Sequence, residues 1–310
     1  MTNALVPAPS LPDFLQRELP FARTGVRTSV GLVHTIDDGP KEAPAVLLVH
    51  GNPMWCFLWR KVIRELRALP DGRGLRVIAP DLLGLGLSDK PAHARDHQLE
   101  LHVTAIAEVL EALAPRSVIF AGQDWGGPIG AGAVSRWQAR GGNVRAMLLA
   151  NTSVLPLSAS MRETPFHRFA RTPVVSDLAF RIGLFPIPVM HRVQGDPHTL
   201  GRREKRAYAW PLRRFADRAA PLGLARMVPT SKTHPSVAAI DAIGNWVLGF
   251  RGPIGLVWGK RDPILGRSLG RHQKALSTAF VEETEAGHFL QEEVPELLAR
   301  SIVRLHALAG

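Results

Sequence analysis

The chain has 310 residues, of which 45% are hydrophobic and 21% are charged. This length exceeds the usual domain of about 100–150 residues, which predicts either two domains or one α/β domain with an insertion. The composition excludes a short peptide module, a collagen-like repeat and a low-complexity chain, and the single cysteine excludes an internal disulfide and a zinc site made of several thiolates.

The formal net charge of +11 raises the question of a nucleic acid or an anionic membrane as partner. Residues 161–226 contain 13 Lys or Arg against 5 Asp or Glu, a net of +8. We interpret them as a solvated, arginine-rich helical surface, because no recognisable RNA- or DNA-reading motif accompanies them. No stretch of about 18 uncharged apolar residues and no signal-like start is present. We therefore expect a cytoplasmic monomer or small homo-oligomer that binds no nucleic acid and no membrane.

Short apolar runs along the chain predict strands that are covered on both faces. In chain order they are residues 45–50 (AVLLVH), 76–79 (RVIA), 117–121 (SVIFA), 146–150 (AMLLA), 255–258 (GLVW) and 280–283 (FVEE). Residues 99–113 carry apolar side chains at helical spacing, and residues 125–139 form a second helical stretch after the third run. Because strands and helices alternate, we expect an α/β fold whose central sheet is mostly parallel and flanked by helices.

This alternation breaks once, after residue 150. Roughly eighty residues pass before the next strong strand signal, and a structureless loop of that length would be improbable in a compact protein. The interval is rich in Arg, Pro and aromatic residues. We therefore expect a helical cap at residues 154–228, inserted into a core made of residues 20–153 and 229–310.

The densest chemical signal is the sequence GQDWGG at residues 122–127, between a predicted strand and a predicted helix. It has the small-x-nucleophile-x-Gly pattern of a strand-to-helix elbow, with Asp124 at the position of the nucleophile. Flanking glycines permit the tight turn, which lifts the central side chain above the carboxyl edge of the sheet. The structural alternative is that Asp124 only caps the following helix. The flanking glycines favour a nucleophile.

Three further residues are candidates to act with Asp124. The loop HGNP after the first buried strand places Asn52 where an oxyanion-hole N–H is expected, and the second N–H would come from Trp125, next to the nucleophile. His288 follows the last predicted strand, which is the position of the base in the chain order nucleophile, acid, histidine. Asp262, in the loop after GLVW, is the candidate acid. Simple turn-forming roles are the alternatives for the Asn-Pro and Asp-Pro pairs.

Together these segments resemble the haloalkane dehalogenase family of the α/β-hydrolase fold over nearly the whole chain. The resemblance rests on HGNP and WCFLWR, DLLGLGLSDKP at residues 81–91, GQDWGG, WGKRDP and AGHFLQEE. It implies that Asp124 attacks a carbon bearing halogen, that Asn52 and Trp125 bind the departing halide, and that no cofactor and no metal is needed. In the family the acid follows one of two strands. Here the earlier position holds Asn151 and the later one Asp262, which resembles the subgroup with an Asn and Trp halide site.

The sequence leaves other functions open. A β-lactone decarboxylase of the olefin-biosynthesis type would use the same Asp124 and His288, and nothing in the sequence excludes it. An epoxide hydrolase of this fold is less favoured, because such enzymes resemble each other in using cap tyrosines and this chain has one tyrosine, Tyr208. A catalytically silent receptor of this fold is disfavoured by the complete set of nucleophile, acid and base. Salt-dependent retention of DNA would reveal a basic nucleic-acid binder. The expected partners are a small apolar halogenated substrate and a halide ion.

Overall fold

A nine-stranded sheet forms the centre of the computed structural model, which describes residues 4–157 and 164–310. The strands are β1 Leu5–Pro7, β2 Arg23–Thr28, β3 Gly31–Asp38, β4 Ala45–Val49, β5 Arg76–Pro80, β6 Val118–Asp124, β7 Val144–Thr152, β8 Ile254–Gly259 and β9 Phe280–Thr284. Their order in the sheet is β1-β2-β3-β5-β4-β6-β7-β8-β9. The six strands β5, β4, β6, β7, β8 and β9 pair in parallel. The strands β1, β2 and β3 are antiparallel to their neighbours.

Helices cover both faces of the sheet. They are α1 Asp13–Gln16, α2 Arg60–Ala68, α3 Pro70–Arg73, α4 Leu99–Leu113, α5 Gly126–Ala139, α6 Pro165–Ala170, α7 Val175–Arg181, α8 Arg202–Ala209, α9 Ala220–Arg226, α10 Ser236–Gly249, α11 Leu269–Ala275, α12 Leu290–Glu293 and α13 Pro295–Leu308. No helix of the described residues is long and apolar enough to cross a lipid bilayer.

The apolar strand runs are continuous because both faces of each strand are buried. Along β4 all five residues are buried: Leu47 and Val49 join the cluster that contains the apolar face of α4, whereas Val46 and Leu48 join the cluster that contains α2 and α13. Successive side chains of a strand point to opposite faces, so neither face can be polar. This confirms the predicted α/β-hydrolase architecture with a mostly parallel sheet.

The connection from β7 to β8 contains helices and, among the residues that the structure describes, no strand. After residue 163 it contains α6 to α10 and several short 3-10 turns, and no strand occurs in residues 164–253. Four phenylalanine side chains of this region form a small cluster, in which Phe166, Phe169 and Phe185 pack against the buried Phe180. Residues 158–163 of the expected cap lie outside the described residues.

Candidate active site

Asp124 lies at the end of β6, in a backbone conformation that few side chains adopt. Its φ is +51°, and α5 begins two residues later. The turn requires glycine around it: a Cβ on Gly126 would lie 2.0 Å from the carbonyl oxygen of Val49, and a Cβ on Gly51 would lie 2.3 Å from the Asp124 Cβ. A left-handed non-glycine residue costs energy and persists only where the surroundings hold it. The elbow expected from the sequence is therefore present.

Two backbone N–H groups contact the carboxylate of Asp124. The N–H of Asn52 donates to Oδ1 at 2.9 Å, and the backbone N–H of Trp125 is near enough to the carboxylate to lower its pKa. Burial raises the pKa of Asp124 above its ordinary value, while His288 and the two N–H groups oppose this shift. The loop after β4 and the first residue after the elbow thus hold one carboxylate from two sides.

His288 and Asp262 form a buried pair beside Asp124. Nδ1 of His288 lies 2.9 Å from Oδ2 of Asp262, and Nε2 lies 3.7 Å from Oδ2 of Asp124. Oδ1 of Asp262 accepts the N–H of Ile264 at 2.7 Å. Burial lowers the pKa of His288, but the carboxylates of Asp262 and Asp124 together more than offset this, so the pKa is raised above 6.5. Because the Asp262 carboxylate needs a donor, the ring proton of neutral His288 belongs on Nδ1. The lone pair is then on Nε2, which lies 3.3 Å from Nε2 of Gln123 and is the ring atom that can take a proton.

Asn52 and Trp125 also offer side-chain donors to the cavity that contains Asp124. Nδ2 of Asn52 donates to the carbonyl of Pro221 at 2.9 Å, which uses one of its two protons and leaves the other available. The indole N–H of Trp125 has no hydrogen-bond partner among the residues that the structure describes. Both residues line the same cavity as Asp124 and His288. The five residues predicted from the sequence are therefore brought together.

Two amide side chains that the sequence analysis did not assign a role hold the His288 loop. Nδ2 of the fully buried Asn151 donates to the carbonyl of Gly287 at 2.7 Å and to that of His288 at 3.2 Å, and its Oδ1 accepts the N–H of Gly259 at 2.9 Å. Nε2 of Gln123 donates to the carbonyl of His288 at 3.1 Å. Asn151 lies near the end of β7, at the earlier of the two positions where the family can place its catalytic acid. An amide suits this position because a carboxylate cannot donate to two carbonyls.

Residues between β7 and β8 also fix the backbone around His288. The N–H of His288 donates to the carbonyl of Val193 at 2.8 Å, and the N–H of Phe289 donates to Oε1 of Gln194 at 2.9 Å. A Cβ on Gly287 would lie 2.2 Å from the carbonyl oxygen of Val193, so only glycine allows this approach. The position of His288 consequently depends on the inserted helical region as well as on the sheet.

Two cavities meet at Asp124. The main cavity, of about 260 Å³, contains Asn52 and His288 and is walled by apolar side chains that include Phe166 and Phe185. The side cavity, of about 270 Å³, extends toward Ser153, Ile240 and Arg271. Asp124, Trp125, Thr164, His167 and Ile264 line both cavities.

One group of possible metal ligands occurs among the described residues, and it lies outside both cavities. It consists of His34, Cys56 and Asp81, all buried. The Asp81 carboxylate already binds Nδ1 of His34 at 2.8 Å and the backbone N–H groups of Cys56 and Leu87, each at 2.7 Å. These hydrogen bonds occupy the oxygens that a cation would need, and the expectation of a metal-free enzyme stays a prediction.

The single tyrosine is placed away from the candidate site. Tyr208 is buried, and its hydroxyl donates to Oε1 of Glu292, a carboxylate that also binds the guanidinium of Arg60. Tyr208 lines neither cavity at Asp124. It therefore joins α8 to α12 and has no access to a substrate oxygen beside Asp124.

Comparisons with known proteins agree with this arrangement. Residues 46–301 match the model of the alpha/beta hydrolase family. The chain is 32% identical over 282 residues to a haloalkane dehalogenase of Mycobacterium marinum, covering 87% of each chain, and 30% identical over 308 residues to haloalkane dehalogenase 2 of Mycobacterium bovis, covering 92% of this chain and 94% of the relative. The solved structure of the haloalkane dehalogenase DatA from Agrobacterium tumefaciens superimposes with a TM-score of 0.78 at 26% identity, covering 93% of this chain and 97% of that one.

Proposed function

The chain belongs to the haloalkane dehalogenase family of α/β-hydrolases, and we propose from this membership that it hydrolyses haloalkanes to an alcohol and a halide ion. The observation that carries the proposal is the convergence of Asp124, the Asp262–His288 pair and two N–H donors on one cavity. The substrates are small apolar halogenated molecules, in keeping with the apolar walls of the main cavity.

In the first step the Asp124 carboxylate attacks the carbon that bears the halogen. A carbon–oxygen bond forms as the carbon–halogen bond breaks, and the halide leaves with the bonding electrons. The carboxylate suits this step because it is a nucleophile when ionised and yields an ester that water can open. The side chains of Asn52 and Trp125 donate hydrogen bonds to the developing halide. Donors aimed at developing charge in a dry site lower a barrier by a few kcal/mol, about 2.7–4 for one oxyanion donor.

In the second step water hydrolyses the alkyl ester of Asp124. His288 accepts a proton from water at Nε2, and the resulting hydroxide adds to the ester carbonyl carbon. The backbone N–H groups of Asn52 and Trp125, which already contact the carboxylate, stabilise the oxyanion. Asp262 holds the imidazole tautomer and stabilises the imidazolium. His288 then returns the proton to the departing alcohol, and Asp124 is regenerated without any cofactor.

Three features of organisation belong to the same proposal. Residues 154–228 form the cap, and residues 20–153 with 229–310 form the core that carries Asp124, Asp262 and His288. The enzyme acts in the cytoplasm as a monomer or a small homo-oligomer. The single buried cysteine supports a reducing compartment.

Intact-mass spectrometry tests the mechanism directly. With 1-bromobutane, we expect the variant His288→Ala to accumulate one alkyl adduct on the protein, because ester formation does not need the base. Asp124→Asn should form none and release no bromide. Absence of the adduct in His288→Ala would contradict the two-step scheme. A β-lactone assayed beside the bromide tests the alternative decarboxylase function, which is favoured only if the lactone reacts and bromide is not released.

A further inference from the structure

One polar side chain at the junction of the two cavities has no part in the mechanism above. His167, in the first turns of α6, lines both the main cavity and the side cavity together with Asp124. The main cavity is otherwise apolar apart from the reacting groups and Thr164, with Phe166, Phe185 and Met190 in its wall. An imidazole placed there has to be explained, because a polar group in an apolar cavity is costly unless it finds a partner.

The start of α6 fixes the imidazole in place. Thr164 is the N-cap of this helix, and its Oγ1 accepts the backbone N–H of His167 at 3.4 Å and lies 2.8 Å from Nδ1 of the same residue. A hydroxyl oxygen has one proton to donate and two lone pairs, so Oγ1 can accept the backbone N–H and still donate, and we assign its proton to the bond with Nδ1. The ring proton of His167 then belongs on Nε2, which has no hydrogen-bond partner among the described residues.

The ring of His167 is neutral at physiological pH. Burial lowers its pKa to about 4, and the positive charge of Arg171 acts in the same direction. A neutral imidazole with its proton on Nε2 offers one N–H donor and carries no charge. Such a group binds an uncharged acceptor without attracting the halide away from Asn52 and Trp125.

The side cavity is suited to a substituent that contains oxygen. Two polar side chains line the side cavity and not the main cavity, Ser153 and Arg271. The guanidinium of Arg271 also donates a hydrogen bond to the carbonyl of Pro156. The rest of its wall is aliphatic and includes Leu157, Val228 and Ile240. Polar donors set in an aliphatic wall favour a chain that carries an ether, hydroxyl or carbonyl oxygen over a pure hydrocarbon.

We propose that the side cavity is a subsite for an oxygen-bearing arm of the substrate and that His167 donates a hydrogen bond to that oxygen. The proposal rests on the dehalogenase function proposed above and adds to it a preference for halides with an oxygen in the chain over hydrocarbon halides of the same length. His167 is a specificity-determining residue in this scheme and takes no part in the transfer of the alkyl group or of a proton.

Three bromides of equal chain length test the proposal. 1-Bromopentane, 1-bromo-2-ethoxyethane and 1-bromo-3-methoxypropane differ only in whether and where oxygen replaces a CH2 group. The measured quantity is the ratio of kcat/KM for each ether to kcat/KM for bromopentane, by bromide release. Differences in intrinsic reactivity cancel when this ratio is compared between variants. In His167→Leu we expect the ratio for the better ether to fall roughly 2- to 12-fold, which corresponds to the loss of one hydrogen bond.

His167→Gln is the matched control, because its amide keeps an N–H donor, and we expect it to retain most of the ether preference. A general loss of packing would lower the rates of all three bromides together and leave the ratio unchanged. Equal ratios in the wild type and His167→Leu for both ethers would overturn the proposal, and so would a His167→Gln variant that matches His167→Leu. Failure of the dehalogenase function itself is distinct, since the wild-type enzyme would then release no bromide from any of the three.

Discussion

Replacing Asp262 by Asn is expected to separate the two chemical steps. Oδ1 of Asp262 accepts the N–H of Ile264 at 2.7 Å, so the amide oxygen of Asn takes that position and the NH2 group takes the place of Oδ2. This NH2 group then faces Nδ1 of His288, 2.9 Å away, as a donor. The imidazole has to accept at Nδ1, and its proton moves to Nε2. His288 can no longer take a proton from water, while Asp124 still attacks the substrate.

The size of the effect follows from what the base contributes. A positioned general base supplies about 10²–10⁴-fold in rate. We therefore expect Asp262→Asn to slow ester hydrolysis by about two to four orders of magnitude and ester formation by less than about tenfold. Rapid-mixing experiments with excess 1-bromobutane should show a burst of one bromide per enzyme followed by a slow steady state. Intact-mass spectrometry should find the alkyl adduct during that steady state.

A matched control removes a carboxylate that is paired with neither His288 nor Asp262. Glu285→Gln neutralises an exposed side chain paired with Lys260 and Arg261, and its kinetics should equal those of the wild type. Equal losses in the burst and in the steady state of Asp262→Asn would refute the assignment of Asp262 as the acid that orients His288. A turnover rate unchanged by the substitution would refute it as well.

Three further predictions concern the same cavity. Asn52→Ala and Trp125→Phe should each weaken halide binding by roughly 10- to 150-fold, because each loses one hydrogen bond to a charged group. Fluorescence titration measures the halide affinity, and unchanged affinity in both variants would refute the assignment of these two residues as the halide site. Because Asp262 and Asp124 raise the pKa of His288 in the free enzyme, an NMR titration of the His288 ring should give a midpoint above 6.5, and a midpoint below 6.5 would contradict the pairing with Asp262. Asn151→Gly removes three buried hydrogen bonds and should lower the free energy of unfolding by about 3 kcal/mol. Asn151→Ala should lower it by about 1 kcal/mol more, because the backbone at this position has a φ of +36°, which an alanine tolerates less well than a glycine. Urea denaturation measures both, and equal stability of the two variants would contradict the backbone argument.

The sequence predicted the central part of the fold well because the physical signal there is strong. The six predicted strands correspond to β4 to β9, and the predicted helix at residues 99–113 coincides with α4. Strands buried on both faces read as apolar runs, and a long amphipathic helix repeats its pattern over four turns. The elbow at Asp124 was recognisable because its glycines are demanded by close backbone contacts.

The first three strands were not predicted, and their composition explains why. β2 has the sequence RTGVRT, and β1 has three residues at the edge of the sheet. β1 is too short to show a pattern, and β2 mixes polar residues with glycine. Both strands form through pairing with their neighbours, so a local pattern does not reveal them. β3 is mostly buried, but its sequence, GLVHTIDD, contains a histidine and two aspartates. Its Asp37 binds the guanidinium of Arg76, a partner 39 residues away that a local reading does not supply.

The supports of His288 could not be found from the sequence for a similar reason. Asn151 and Gln123 act through hydrogen bonds to backbone carbonyls of residues more than 130 positions away. No motif encodes the partner of such a bond, because every residue offers a carbonyl. His167 was equally unremarkable in the sequence, and only the cavities reveal its position beside Asp124.

The backbone N–H groups of His288 and Phe289 donate hydrogen bonds to Val193 and Gln194, and this has a consequence for how such an enzyme can diversify. The segment that shapes the substrate cavity is also the segment that steadies the base. Replacing this whole segment by the corresponding segment of a relative would change the rate of ester hydrolysis as well as the choice of substrate. Substitutions that broaden the range of substrates should therefore be tolerated at side chains facing the cavity, and selected against wherever they shift the main chain at residues 193–195.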